Sequence, residues 1–428
     1  MQRERTMKDS GIPWIGEIPE GWRNAKYRYS GIFVKGKLPC EQNVEQHGKP
    51  IIGASEMLGK EYRNFSLDAN VPTCQKQDIL ILWDGANAGI VANNCEGIVS
   101  STVVKYVCTD KNIDSQFLFY LFKNGEPFFK SKVNGTTIPH MNQKFIDEYL
   151  CILPPLAEQH LIATFLDKKC SEIDSLIELQ EQMIEELKAY KRSVITEAVT
   201  KGIRNEELGV RNYKDSGIEW IGDVPEEWEV CRIRNLGITQ NGISKGGEFF
   251  GEGEPFISYS DVYKNIELPQ IASGLIQSSQ EEQDRFSVCK GDVFFTRTSE
   301  TIEEIGFSST CTKTIEKAVY AGFLIRFRPK QGVLNDGYSK YYFRSDVHRA
   351  YFVKEMNIVT RASLSQDLLK SLVVLLPPIS EQQAIADYLD KKCGEIDELI
   401  TIKQQKIESL KEYKKSVIYE YVTGKKEP

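Results

Sequence analysis

The sequence predicts an α+β fold with an internal pseudo-two-fold repeat: two α/β domains with β-rich cores, separated by two long helices that form an antiparallel coiled coil. Three observations carry this expectation. The stretch DSGIPWIGEIPEGW at Asp9 returns as DSGIEWIGDVPEEW at Asp215. A longer block, LPPLAEQ at Leu153 through LDKKCSEID and LKAYKRSVI, returns as LPPISEQ at Leu376 through LDKKCGEID and LKEYKKSVI. The separation between these blocks is greater in the second half, so two dissimilar contents sit in two matching frames. Both contents mix short β-rich runs with Gly and Asn turns, as in ILILWDG, GIVSSTVVKYV, GDVFFTRTS and AVYAGFLIRFRP. The expected segments are 1–152, a first domain; 153–204, a first long helix; 205–375, a second domain; and 376–428, a second long helix.

Composition narrows the class. With 428 residues, the chain exceeds one ordinary core, and 41% hydrophobic content is enough to bury two. No apolar run approaches the roughly 20 residues that span a bilayer, and the start MQRERTMKDSG lacks a signal-peptide core, which places the protein in the cytoplasm without membrane contact. Ten cysteines are scattered without CxxC pairs or Cys/His clusters, so reduced thiols and no metal site are expected. A net charge of −7 argues against nucleic acid as a partner, because phosphate binding normally leaves a basic footprint, although totals mislead when charge is segregated. Locally, Arg326, Arg328, Lys330, Lys340, Arg344, Arg349, Lys354 and Arg361 outnumber neighbouring acids. This excess suits a phosphate-facing surface or an ordinary solvated face.

The helices are justified by their seams. After Pro154 and Pro155 the chain runs through the rest of the repeated block without Gly or Pro. Alternate spacings of four and three pick out Leu166, Cys170, Ile173, Ile177, Gln180, Ile184 and Leu187, continuing to Lys191, Val194 and Ala198. The second copy gives Leu389, Cys393, Ile396, Ile400, Lys403, Ile407 and Leu410, then Lys414, Val417 and Tyr421. Zipping the two against each other hides both stripes, whereas two independent bundles are the competing arrangement. Cys170 and Cys393 read as small buried hydrophobes. An antiparallel pair would bring Gln180 near Lys403, and about 40 residues of helix, about 60 Å, would act as a spacer.

The two contents keep a weak correspondence. QDILILWDGANAGI from Gln77 matches GDVFFTRTSETIEEIG from Gly291, and TTIPHMNQKFIDEYLCILPPL from Thr136 matches VTRASLSQDLLKSLVVLLPPI from Val359. A shared fold with diverged loops is where binding specificity resides. Chemistry-bearing motifs are absent: FFGEG at Phe249–Gly253 lacks the strand and helix of a methyl-donor loop and reads as a surface turn, and both LPP strings lack a leading Asn or Asp. There is no Walker loop, HExxH or GxSxG, and none of the four histidines lies beside a plausible nucleophile. The chain is expected to bind rather than react.

Taken together, DSGIxWIGxxPxxW, LPPxxEQxxIAxxLD, the duplicated helices and the GDI-type strand before a Gly-containing loop resemble the specificity subunit of type I restriction-modification enzymes over the whole chain. The resemblance implies that each domain is a target recognition domain reading half of a split, asymmetric site in double-stranded DNA. It also implies helices that set the gap and dock two modification (methyltransferase) subunits, which restriction subunits can join. No catalysis and no cofactor is expected of this chain; S-adenosylmethionine, ATP and Mg are expected on the partners. Carried over by position, Asn87 in the first domain and Arg297, Thr298 and Ser299 in the second lie near DNA. Ser55 and Ser260 follow the strands at Ile51 and Phe256, and Thr137, His140 and Arg361 form the matching far ends. Lys35, Asn241 and Lys245 complete the candidate DNA-binding set. The competing readings are a coiled-coil structural adaptor and a stand-alone DNA methyltransferase.

Overall fold

The structure, a computed structural model, describes residues 5–12, 15–133, 140–147, 150–203, 211–299, 305–355 and 362–428. The chain forms two compact units, Met1–Glu181 with Gln405–Pro428, and Gln182–Gln404. Helix and sheet are mixed in both.

In the first unit, the apolar run Ile79–Leu82 is a strand buried on both faces. Ile79 and Ile81 face a core with Phe117, Leu121 and Phe122 of the helix Ser115–Ser131, while Leu80 and Leu82 face a second core with Ile52 and Val99. A strand covered on both sides needs no polar alternation, which explains its unbroken hydrophobicity. Its sheet runs Gly31–Lys35, Val103–Cys108, Ile79–Leu82, Val91–Ala92, antiparallel throughout. A second sheet orders Phe65–Ser66, Lys49–Ile52, Gly97–Val99 and Thr73–Cys74, with Lys49–Ile52 and Gly97–Val99 parallel.

The second unit has the same plan in different residues. Gly237–Asn241, Leu324–Pro329, Val293–Thr296 and Ser308–Thr310 form an antiparallel sheet. Phe250–Ile257 pairs in parallel with Val319–Tyr320. Val293 and Phe295 enter one core and Phe294 the other. The chain leaves the first sheet at Gly36 and at Gly242, where a Cβ would collide with the carbonyl oxygens of Val99 and Ser100, or of Tyr320 and Ala321. Only glycine allows that approach. FFGEG is not a turn: Phe250–Ile257 is one strand whose pairing with Gly274–Ile276 shifts register between Phe250 and Glu254. Gly251 and Gly253 take φ of 103° and 107°, so the glycines make the irregularity that sequence reading took for a reversal.

The repeated motifs build the frame. Asp9 Oδ1 accepts the Gly11 N–H and Asp215 Oδ1 that of Gly217, each at 2.9 Å, closing the turn of a small hairpin. Arg23–Lys26 pairs with Leu150–Leu153, and Glu229–Arg232 with Val373–Leu376, leading to the two proline pairs. The indole N–H of Trp22 donates to Glu158 at 3.1 Å, and that of Trp228 to Glu381 at 3.0 Å. Arg5 and Arg211 meet the same two carboxylates at 2.5 and 2.7 Å. Gln159 donates to the carbonyls of Pro154 and Asn112 and accepts the Asp114 N–H. Gln382 repeats this with Pro377, Val333 and Asn335. The EQ of each LPPxxEQ is thus the clasp between helix and domain.

The long helices are Leu156–Lys201 and Ile379–Val422. Each unit takes the first part of one and the last part of the other. In the first unit, Leu166 and Cys170 pack with Val417, Ile418 and Val422, and Lys414 meets Asp174 at 2.6 Å. In the second, Val194, Ala198 and Val199 share a core with Ile385, Leu389 and Cys393, and Lys191 meets Asp397 at 2.7 Å. Ile173, Ile184, Ile396, Ile407 and Leu410 are buried; Ile177, Gln180, Leu187, Ile400 and Lys403 are half-buried. Gln180 belongs to the first unit and Lys403 to the second. Burial raises the pKa of the Cys170 and Cys393 thiols.

Candidate nucleic-acid interface

Strand Ile79–Leu82 and its counterpart Val293–Thr296 are each followed by a stretch that is tied back to the scaffold by backbone hydrogen bonds. Trp83 N–H donates to Thr102 O at 2.8 Å and Arg297 N–H to Phe323 O at 2.9 Å. Trp83 is buried, whereas Arg297 at the equivalent position is half-buried and its guanidinium has no hydrogen-bond or ion-pair partner among the described residues. Thr298 is half-buried and pairs with Ser363; Ser299 pairs with Ala362 through its backbone. Asn87 is exposed in the loop after Trp83.

Ser55 and Ser260 are exposed on the short helices Ala54–Met57 and Tyr259–Lys264, each following the strand that pairs in parallel. Lys35 is exposed at the end of Gly31–Lys35, and Asn241 is the last residue of Gly237–Asn241. Asn241 is half-buried, with Oδ1 lacking a partner among the described residues. Lys245 is spent internally: it meets Glu282 at 2.6 Å and Gln277 O at 2.7 Å, and this contact holds the Glu282 carboxyl below its usual range. His140 is exposed, with Nδ1 on Asp84. Thr137 and Arg361 lie outside the described residues. Sequence reading passed over Asp84 and Ser363; the signal for both was their position opposite residues already chosen, Asp84 against His140 and Ser363 against Thr298.

The basic excess after Ala321 is not a phosphate-facing surface in its central members, nor a solvated one. Arg326 is 2% exposed and donates to Ser287 O at 2.6 Å and Gln240 Oε1 at 2.5 Å, and burial lowers its pKa. Arg328 makes a bidentate pair with buried Asp292, which raises its pKa. Arg344 donates to the carbonyls of Tyr263 and Ser308, and Lys340 meets Asp390 at 2.7 Å. Counting charge along the sequence cannot tell which face of a strand carries it: Arg326 and Arg328, two apart, both turn inward. The side chains of Arg349, Lys354 and Arg361 lie outside the described residues.

Chemically, the exposed stretches offer hydroxyls, amides and cations suited to hydrogen bonding with base edges and phosphates. No group of three or more His, Cys, Asp and Glu that could hold a metal occurs among the described residues. No described helix is long and apolar enough to cross a membrane.

Comparison with known proteins agrees with this architecture. The type I restriction enzyme MjaVIII specificity subunit of Methanocaldococcus jannaschii is 29% identical over 423 residues, covering 95% of this chain and 93% of that protein. The EcoKI specificity subunit of Escherichia coli K12 is 25% identical, covering 86% and 82%. A solved chain from work on complex assembly and conformational transition of the type I R-M system shares the fold, with a TM-score of 0.69 at 15% identity, covering 95% of this chain and 98% of its own. Residues 19–189 and 225–424 match the family described as type I restriction modification DNA specificity domain, one copy to each half. The chain belongs to that family.

Proposed function

We propose that this chain is the non-catalytic DNA-reading subunit of a cytoplasmic type I restriction-modification system. Each unit reads one half of a bipartite, asymmetric target, and the chain docks two modification subunits, with restriction subunits able to join. S-adenosylmethionine, ATP and Mg belong to those partners. The observation that carries the reading is the pair of equivalent strand ends: one scaffold, used twice, places Asp84 and Asn87 in one unit and Arg297 and Thr298 in the other. Two copies of a scaffold with unlike side chains at equivalent positions fit two unlike half-sites. The base-reading candidates are Lys35, Ser55, Asn87, Thr137, His140, Asn241, Ser260, Arg297, Thr298, Ser299 and Arg361; Lys245, held by Glu282 and the Gln277 carbonyl, is not among them.

The spacer is the antiparallel coiled coil of the two long helices. Its support is the pairing of opposite helix parts inside each unit, with the matched Lys414–Asp174 and Lys191–Asp397 contacts. The antiparallel pairing carries the expectation that Gln180 comes near Lys403. Spin labels at the two positions should report a separation near the about 8–10 Å of packed helix axes. A separation on the scale of a helix length refutes the coil.

The function is tested by expressing the chain with its modification subunits and mapping modified bases by long-read sequencing, with and without the gene. A split motif that depends on the gene is expected. Footprints on genomic DNA with no common sequence would refute the reading and leave a protein adaptor; methylation by the purified chain alone would overturn the division of labour.

A further inference from the structure

Three backbone positions coincide in the two units. Lys35 pairs with Val104 and Asn241 with Ile325 on equivalent strands. Asp84 bridges to His140 as Thr298 pairs with Ser363. The next residue confirms the match, since Met141 N–H donates to Trp83 O at 3.0 Å and Leu364 N–H to Arg297 O at 2.7 Å. Lys35, Asp84 and His140 therefore stand where Asn241, Thr298 and Ser363 stand, and every member differs in hydrogen-bonding chemistry.

In the first unit the three side chains act on one another. Asp84 Oδ2 meets Lys35 Nζ at 3.2 Å, and Oδ1 meets His140 Nδ1. The Trp83 ring meets the imidazole edge-on, with centroids 6.3 Å apart. The side chains of Lys35 and His140 remain 50% and 55% exposed, against 21% for Asp84. Both carboxylate oxygens are thus engaged, and the acid shows no bare charge to a phosphate. His140 Nε2 has no partner among the described residues.

We infer that these three positions determine specificity in each unit, and that Asp84 is the positioning residue that sets how His140 and Lys35 face a base. The inference rests on the DNA-reading function proposed above. With Nδ1–H donating to Asp84, the neutral imidazole offers Nε2 as an acceptor, which suits the exocyclic amine of adenine or cytosine. Lys35 is a pure donor and suits the O6 and N7 of guanine or the O4 of thymine. Thr298 and Ser363 both donate and accept, so the same backbone reads a different pattern in the second unit.

The test uses the full chain with its modification subunits, comparing Asp84→Asn, His140→Gln and Ser363→Ala by motif mapping, with thermal melting to establish that each variant folds. The amide of Asp84→Asn can donate toward Nδ1 and so reverses the polarity of Nε2. One or two base positions in one half-site should relax or change, with discrimination altered about 5- to 150-fold, while the other half-site and the gap stay as they were. Ser363→Ala should disturb only the opposite half-site. Folded Asp84→Asn and His140→Gln chains that both keep the wild-type motif and rate overturn the inference, as does a variant that weakens both half-sites equally. A wild-type complex without a split motif would instead bring down the DNA-reading function itself, and this inference with it.

Discussion

Replacing Gln382 by alanine should unseat the second long helix from its domain. The side chain is 1% exposed and serves three backbone groups: it accepts the Asn335 N–H at 2.8 Å and donates to Pro377 O at 2.9 Å and Val333 O at 3.2 Å. Alanine leaves all three without that partner. An unsatisfied buried polar group costs roughly 1–3 kcal/mol. The Asn335 N–H lies in a partly buried setting where water can reach it, so about 3 kcal/mol is a reasonable sum for the set. For a unit of this size each kcal/mol moves the melting temperature by about 2–4 °C, giving a fall of about 6–12 °C. Differential scanning calorimetry reads this directly. Gln159→Ala should produce a comparable loss, because Gln159 serves Asp114, Pro154 and Asn112 in the same way. A fall below about 2 °C in both variants would show that the glutamines are not the clasps inferred here, since even one orphaned group exceeds it.

Three further outcomes follow from the same contacts. Arg326→Ala should destabilise the second unit by about 2–6 kcal/mol, since it leaves the Ser287 carbonyl and the Gln240 amide oxygen without their donor at roughly 1–3 kcal/mol each, yet leave the salt dependence of DNA binding unchanged; a reduced salt slope in binding titrations would mean that Arg326 touches phosphate after all. Lys191→Glu or Asp397→Lys alone should cost up to about 1 kcal/mol, and the double exchange should restore stability, as read by a urea double-mutant cycle; a null coupling energy contradicts the pair. Burial pushes Cys74 up to about 11 and Cys311 up to about 12 from 9.0. Above pH 9 the unfolded chain releases these protons while the folded chain keeps them, so stability should fall as pH rises through that window. The decline should flatten in a Cys74→Ala, Cys311→Ala variant, and an unaltered pH profile would refute the assignment.

The frame was legible because it is written twice. LPPxxEQ places Gln159 and Gln382 one helical turn after a proline pair, and the indoles of Trp22 and Trp228 find Glu158 and Glu381 by the same local geometry. The period of the long helices was equally readable, since seam spacing is a property of the sequence itself. The parallel pairing of Lys49–Ile52 with Gly97–Val99 was not, because only two residue pairs define it and they are far apart in the chain. Arg326 and Arg328 misled for a related reason: composition carries no information about which face of a strand turns inward. Asp84 escaped notice because an acid beside DNA looks unfavourable until Lys35 and His140, which engage its two oxygens, are seen beside it.

The division of each long helix between the units bears on how the protein is made. Residues 182–404 are contiguous, so the second unit has all its parts once that stretch has left the ribosome. The first unit begins earlier but finishes later, because Val417, Ile418 and Val422 complete the core that holds Leu166 and Cys170. A nonsense codon near position 405 would therefore spare the half synthesised second and cripple the half synthesised first. Until translation reaches that point, the nascent amino-terminal portion carries an uncovered greasy strip and is an obvious client for chaperones.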